Sequence, residues 1–238
     1  MDQYLGSGQA ALPLIKGICC LLSAEQTHEL LAMLAREEAR LAAGLPMTEV
    51  ARDELELCRL VCLAVHIEQN RLDRTPLAVY LGREQLMAGA AALLDDDASL
   101  ECQDAMRFLA LLLDKLLRDN RGDYRSSYQA KLDGLTLGAM EQRALAAQSP
   151  NTGAVVRGSW LRKERNQLGH ASWLDVVEAA LWCFWHGDDL HGGKALLGVL
   201  LGADIRVRLV YGLLAGAFYL AGVTTPADVV DCQSPTGG

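Results

Sequence analysis

The C-terminal part of the chain contains the stretch Leu201–Val223, LGADIRVRLVYGLLAGAFYLAGV. Its run of small and apolar residues predicts a buried helix over Ile205–Leu220, which ends where Gly222 and then Pro226 follow. Three charged residues stand at the start of this helix: Asp204, Arg206 and Arg208. Charges in this position either cap the helix in solvent or belong to a site.

The composition of the chain favours helices over strands. Apolar residues make up 51% of the 238 residues and aromatic residues only 5%. Leucine and alanine, which have high helix propensity, are abundant, whereas the β-branched and aromatic residues that favour strands are sparse. We therefore expect an all-α fold, a compact multi-helix bundle that forms one domain over 1–238 with a disordered tail at 232–238.

The charge and the cysteines bear on the partner and on the compartment. A net charge of −8 and a pI near 5.1 argue against a nucleic-acid-binding protein. Seven cysteines without zinc spacing indicate a reducing compartment. The first residues lack the basic segment of a secretory signal, and no apolar run reaches the about 18 residues of a membrane span. We expect a cytoplasmic protein without membrane contact.

The spacing of apolar residues predicts further helices along the chain. They are a short helix within 10–22, one from the Ser23–Gln26 capping box to Ala43, then Thr48–Asn70, Leu77–Leu94, Ala98 or Ser99 to Leu117, Tyr128–Ala147 and Ser172–Trp185. Ser149–Gly153 carries proline, asparagine and glycine, which predicts a loop. Arg162–Gln167 reads as a charged linker.

Two segments of the C-terminal half carry a recognisable pattern. One contains AALWCFW at 179–185, GADIRV at 202–207 and YGLLAGAFYLAG at 211–222, and the other is SPNTGAVVRGSWL at 149–161. In order and character they resemble the ADP-ribosylglycohydrolase family, an all-α fold. Its members carry an Ala-Leu-Trp-x-Phe patch, a Gly-Gly-Asp-x-Asp-Thr motif, a small-residue helix and an Asn-Gly-Ala-x-Met-Arg substrate-side loop. The family-like segments span 95–161 and 172–226.

The resemblance implies a defined chemistry. Family members hydrolyse ADP-ribose linkages with two divalent metals, usually Mg²⁺, held by a Thr-Asp-Asp cluster in an early helix and by the Asp-x-Asp-Thr motif. Hard cations prefer such oxygen ligands, and paired metals can orient an attacking water. In this chain the first aspartate of the motif is Asp204, which makes it a candidate metal ligand and catalytic residue.

The chain departs from the family at its metal ligands. The second aspartate position is Arg206 and the threonine position is Val207, neither of which can ligate Mg²⁺. The Thr-Asp-Asp cluster has two candidate counterparts. LDDDAS keeps the carboxylates, with Asp96 and Asp97 as candidate ligands, whereas ECQDAM, with Asp104 as a candidate catalytic residue, precedes the matching helix.

Two interpretations of Asp204 remain open. In one, Arg206 supplies the positive charge that a lost metal once gave, with hydrogen bonds of fixed geometry. In the other, Asp204 only caps the helix, and Arg206 and Arg208 lie in solvent.

The resemblance also implies a ligand-binding set. Asn151, Gly153 and Arg157 would line an ADP-ribose pocket together with Asp204 and Arg206, because an arginine binds diphosphate oxygens bidentately. The alternative for Asn151 and Arg157 is an ordinary turn and a surface side chain.

Three functional hypotheses follow from these patterns. The first is a degenerate, shortened ADP-ribosylglycohydrolase-like protein that has lost most of its metal ligands and binds ADP-ribose, a related nucleotide or a protein partner without a cofactor. The second is an active ADP-ribosyl hydrolase with a rebuilt Mg²⁺ site. The third is an all-α protein-interaction module whose pocket is filled with side chains.

Overall fold

In the described part of the chain the protein consists of helices and turns. The computed structural model describes residues 13–23, 25–28, 32, 59–64, 66–67, 76–95, 97–119, 128–200 and 204–221. These residues contain no strand, so the predicted all-α class is confirmed.

The helices with defined bounds follow one another through short connections. They are α1 (Pro13–Cys19), α2 (Pro76–Ala91), α3 (Leu100–Asp119), α4 (Tyr128–Leu135), α5 (Ala139–Leu145), α6 (Pro150–Val156), α7 (Trp173–His186), α8 (Leu190–Leu200) and α9 (Ile205–Ala215). Residues 59–64 and 66–67 are helical as well. Helix α9 continues as a π-helical turn over Gly216–Leu220, and single 3₁₀ turns occupy Ser159–Leu161 and Arg165–Gln167.

Helix α7 lies at the centre of the described bundle. Every residue from Val176 to Phe184 is buried, and the helix packs against α3, α8 and α9. A capping box fixes its start: Asp175 N donates to Ser172 Oγ over 3.1 Å, and Ser172 N donates to Asp175 Oδ2 over 3.0 Å. The apolar run of the sequence is therefore buried on all sides rather than along one stripe.

Backbone carbonyls at the end of α7 accept hydrogen bonds from a lysine of another helix. Lys131 of α4 is 5% exposed, and its ammonium donates to the backbone carbonyls of Phe184, Gly187 and Asp188. It also lies 5.3 Å from the Phe184 ring centroid and 5.6 Å from that of Tyr219. Burial lowers the pKa of Lys131 below its ordinary value, although nearby carboxylates oppose the change. The lysine thus donates to one carbonyl in the last turn of α7 and to two carbonyls that follow the helix.

Glycines bring α1 and α9 into backbone contact. A Cβ atom on Gly17 would lie 2.0 Å from the Gly212 carbonyl oxygen, and one on Gly216 would lie 2.3 Å from the Pro13 carbonyl oxygen. Real Cβ atoms never approach backbone this closely, so neither position can carry a side chain without moving a helix. Helix α1 therefore packs directly against the small residues of the C-terminal stretch.

Helix α8 is fixed to α9 in a similar way. The Tyr211 hydroxyl donates to the Leu190 carbonyl over 2.8 Å, and a Cβ on Gly193 would lie 2.1 Å from that hydroxyl oxygen. Tyr211 is fully buried, so its hydroxyl needs such a partner. The glycine makes the room in which the hydrogen bond forms.

Most predicted helices agree with the structure, and one does not. Residues 77–94, 98–117, 172–185 and 205–220 correspond to α2, α3, α7 and α9 with its π turn. The single helix predicted over Tyr128–Ala147 is wrong, because Thr136–Gly138 interrupts it and α5 begins after Gly138. The capping box at Ser23–Gln26 is confirmed, whereas most of 23–43 and 48–70 and the tail at 232–238 lie outside the described residues.

No helix among the described residues is both long enough and apolar enough to cross a membrane.

The close contact between α1 and α9 predicts how glycine substitutions change the free energy of unfolding. Gly17→Ala should lower the free energy of unfolding by about 1–3 kcal/mol, because the added methyl group meets backbone that has no rotamer to change. Gly82→Ala is the matched control: a Cβ there meets nothing within 4 Å. It should raise stability by about 0.5–1 kcal/mol through helix propensity. Urea unfolding of both variants measures the difference, and equal stabilities would contradict the close contact.

Candidate functional site

Asp204 lies at the start of α9 and is surrounded by donors. Its Oδ1 accepts from the Arg206 backbone N–H over 2.9 Å, which is a helix N-cap. The Arg206 guanidinium also donates to both carboxylate oxygens, from Nε to Oδ1 over 3.2 Å and from Nη2 to Oδ2 over 2.9 Å. His170 Nδ1 lies 2.9 Å from Oδ2. We call these three residues the Asp204 cluster.

Arg206 connects the other two residues of the Asp204 cluster. Arg206 Nη2 donates to the His170 backbone carbonyl over 2.7 Å, so the same guanidinium fixes the carboxylate and the chain segment that carries the histidine. The side chain of Asp204 is 10% exposed, that of Arg206 20% and that of His170 52%. Asp204 thus caps α9, and Arg206 pairs with it instead of lying in solvent.

The charges of the cluster act on Asp204. Burial by itself raises the pKa of this carboxyl group, but the hydrogen bonds from Arg206 and His170 and the positive charge of Arg206 lower it more. The net result is a pKa below the ordinary value of 3.8. The carboxylate is therefore ionised and already neutralised by protein groups.

The cluster does not fit a divalent metal. Both oxygens of Asp204 are engaged by Arg206 or His170, and the side chain of Val207 is buried and has no oxygen. A cation brought to Asp204 would meet the guanidinium at close range. Among the described residues no group of three or more His, Cys, Asp or Glu side chains could hold a metal ion.

A second polar junction joins the starts of α3 and α6. Asp104 is 1% exposed, and its Oδ2 accepts from the backbone N–H groups of Gln148 over 2.6 Å and Ser149 over 2.8 Å. Arg107 Nη1 donates to Oδ1 over 3.2 Å. Asp104 is thus a buried anchor for the segment that leads into α6, and its acceptor capacity is used by the protein itself.

The same junction contains Asn151. Asn151 Nδ2 donates to Glu101 Oε2 over 2.8 Å, and Ser149 Oγ donates to the same oxygen over 3.2 Å. Asn151 is exposed and Glu101 is half-buried, so this part of the junction borders solvent. The structure therefore brings the ECQDAM segment and the SPNTG segment together; we call Glu101, Asp104, Ser149 and Asn151 the α3–α6 junction.

The loop predicted over Ser149–Gly153 is wrong, because Pro150–Val156 is helix α6. Proline stands at its first position, where the missing N–H costs nothing. The N–H groups just before it are satisfied by Asp104, which is distant in sequence. Arg157 follows the helix, is exposed, and folds its guanidinium toward Gly153, where an added Cβ would lie 3.2 Å from Nη1.

Of the other predicted acidic ligands, Asp97 lies at neither place. Asp97 is exposed in the break between α2 and α3, and Asp96 lies outside the described residues. Of the HGDDLH segment, Gly187–Asp189 forms the turn between α7 and α8, with both aspartates exposed. The two aspartates of this segment therefore lie in a solvated turn.

A third set of polar residues was missed by the sequence analysis. Glu178, 4% exposed in the middle of α7, accepts from Ser159 Oγ and, over 2.5 Å, from Lys163 Nζ. Trp182 Nε1 donates to the Lys163 carbonyl over 2.9 Å. The available signal was an acidic residue inside the apolar run VVEAALW, which requires a buried partner.

Neither a family model nor a curated protein matches the sequence. The resemblance to ADP-ribosylglycohydrolases therefore rests on the residues quoted above.

The lowered pKa of Asp204 predicts the pH dependence of stability. A carboxyl group with a depressed pKa stabilises the fold above its unfolded pKa, near 3.8, and this contribution is lost as the pH falls through the folded value. Asp204→Asn keeps a good N-cap but removes the charge, so it should cost about 1 kcal/mol at pH 7 and progressively less below pH 3.8. Urea unfolding across pH 2.5–7 measures it.

The control is Asp97→Asn, at an exposed acidic residue, which should change the unfolding free energy by less than about 0.5 kcal/mol at any pH. A pH-independent loss in Asp204→Asn would mean that the charge pairing carries none of the effect.

Proposed function

We propose that the protein is a degenerate member of the ADP-ribosylglycohydrolase group that binds ADP-ribose or a related nucleotide and does not hydrolyse it. The observation that carries the proposal is the guanidinium of Arg206 on the carboxylate of Asp204, with donor–acceptor distances of 2.9 and 3.2 Å. In the family that the sequence resembles, this carboxylate is a metal ligand. In this chain the guanidinium of Arg206, which is always protonated, neutralises the carboxylate instead of a metal.

Electrostatics supports the loss of hydrolysis. A buried carboxylate without a counter-charge costs several kcal/mol, so a chain that gives up its metal needs another positive group beside Asp204. Arginine is suited to that role because it is always protonated and binds both carboxylate oxygens in one plane. Once it is bound there, a dication gains little and is repelled by the guanidinium.

The α3–α6 junction supports retention of a ligand surface. The segment that resembles the substrate-side loop begins at this junction, and its Asn151 and Arg157 side chains are exposed. Arg157 forms no ion pair with any described residue, so its charge is available to an anionic ligand. These groups suit ADP-ribose, which offers hydroxyl groups and a diphosphate.

Thermal unfolding with ligand tests the proposal. ADP-ribose without metal, at 100 times its Kd, should stabilise the protein by about 2.7 kcal/mol. For a chain of this size that is a rise in Tm of about 5–10 °C. Arg157→Ala should reduce the rise, whereas Arg143→Ala, at an exposed arginine of α5, should not.

The other outcomes decide between the alternatives. A rise in Tm with Mg²⁺ alone, or one that ADP-ribose gives only with Mg²⁺, would overturn the proposal in favour of an active hydrolase. No rise with either addition would overturn it in favour of a protein-interaction module.

Restoring the family's residues at positions 206 and 207 tests the role of Arg206. Arg206→Asp with Val207→Thr restores the oxygen ligands of the motif beside Asp204, so it should create Mg²⁺ binding that calorimetry detects at millimolar metal. Arg208→Asp makes the same charge change on the same helix without restoring the motif, and should bind no metal. An absence of binding in the double variant would contradict a replaced metal at this position.

A further inference from the structure

One segment of the protein concentrates positive charge. Residues 157–170, which we call the basic loop, contain four basic residues and one acidic residue, in a chain whose net charge is −8. Arg157 and Arg162 are exposed and form no ion pair with any described residue. Elsewhere in the described part, arginines such as Arg107 and Arg118 pair with aspartates of their own helix. The loop therefore has a local excess of positive charge.

The basic loop is fixed at both ends and in the middle. Ser159 and Lys163 donate to the buried carboxylate of Glu178 on α7, and Trp182 donates to the Lys163 carbonyl. These contacts attach the first half of the loop to the centre of the bundle. They also neutralise Lys163, whereas the three arginines of the loop form no ion pair with any residue that the structure describes.

The second half of the loop is attached to α8 and α9. Arg165 Nη2 donates to the Val199 carbonyl near the end of α8. Arg206, at the start of α9, donates from Nη2 to the carbonyl of His170 in the loop. A segment with few buried apolar residues is thus held by polar contacts. Such fixation reduces the entropy lost when the segment binds a ligand.

A hollow lies along this segment. It has a volume of about 530 Å³, opens to solvent, and is lined by Glu164, Arg165, Asn166 and Leu168. Of the lining residues, Arg165 and Asn166 carry hydrogen-bond donors, and the exposed Arg162 precedes them in the same loop. Its size suits a small ligand rather than a macromolecule.

We propose that the basic loop binds the diphosphate of the nucleotide ligand, with Arg162 and Arg165 as the charged donors and Asn166 as a neutral one. The inference rests on the proposed function and names residues outside the motifs that resemble the family. A planar guanidinium matches two phosphoryl oxygens, and Arg165 keeps donors free besides the one that it gives to Val199. Glu164 is the one group of the lining that opposes an anion.

Calorimetry with two probes, ADP-ribose and inorganic pyrophosphate, tests the inference. Arg162→Ala/Arg165→Ala should weaken the binding of both probes at least about tenfold, since each charge-assisted hydrogen bond is of that order. Glu164→Gln should strengthen both. Arg143→Ala on α5 is the control and should leave both Kd values unchanged. Because Arg165 contacts Val199, the single variant Arg162→Ala repeats the test without removing a side-chain hydrogen bond or ion pair to a described residue.

The outcomes separate the inference from the proposed function. If the wild-type protein binds ADP-ribose and the arginine variants bind it equally well, the inference is overturned and the proposed function stands. If pyrophosphate binds in a loop-dependent way and ADP-ribose does not bind, the loop is an anion site and the nucleotide proposal is overturned. If neither probe binds the wild-type protein, both are overturned.

Discussion

The described structure depends on the backbone contact between α1 and α9. Gly17, Gly212 and Gly216 bring the two helices so close that a Cβ atom on Gly17 or Gly216 would lie 2.0–2.3 Å from carbonyl oxygens of the other helix. Because α9 also packs against α7, it is covered on both sides, and its residues from Leu209 to Phe218 are buried. This contact holds the start of α9, and with it Asp204, at a fixed place beside the loop that carries His170. A rigid core helix thus positions the polar residues at its exposed end.

Two buried or nearly buried aspartates perform the same task at different helices. Asp204 accepts a backbone N–H at the start of α9, and Asp104 accepts two backbone N–H groups that precede α6. Each is also paired with an arginine, Arg206 or Arg107. A carboxylate in these positions is stabilised whether or not a metal is present, since the N–H groups of a helix start and a guanidinium supply the positive charge.

The sequence predicted the parts of the fold that local pattern controls, and failed where a distant residue decides. Apolar spacing located α2, α3, α7 and α9, and a local capping box located the start at Ser23. It assigned Ser149–Gly153 to a loop because its proline, asparagine and glycine are turn formers, yet Asp104 satisfies the chain there and α6 forms. At the candidate site it identified Asp204 and Arg206 but not the contribution of His170, since hydrogen bonds across a loop leave no periodic signal.

The basic loop lies on an acidic protein, and this bears on the class of ligand that we propose. A nucleic acid needs many phosphate contacts over an extended basic face, and a net charge of −8 repels it beyond the loop. At physiological salt, however, charges more than about 8 Å away are largely screened, so a small anion at residues 157–170 responds mainly to the arginines beside it. In the proposed binding mode, the distant acidic residues would weaken the binding of long polyanions and leave that of small phosphorylated molecules little affected. The pairing of Lys163 with Glu178 fixes the loop without adding to its external charge.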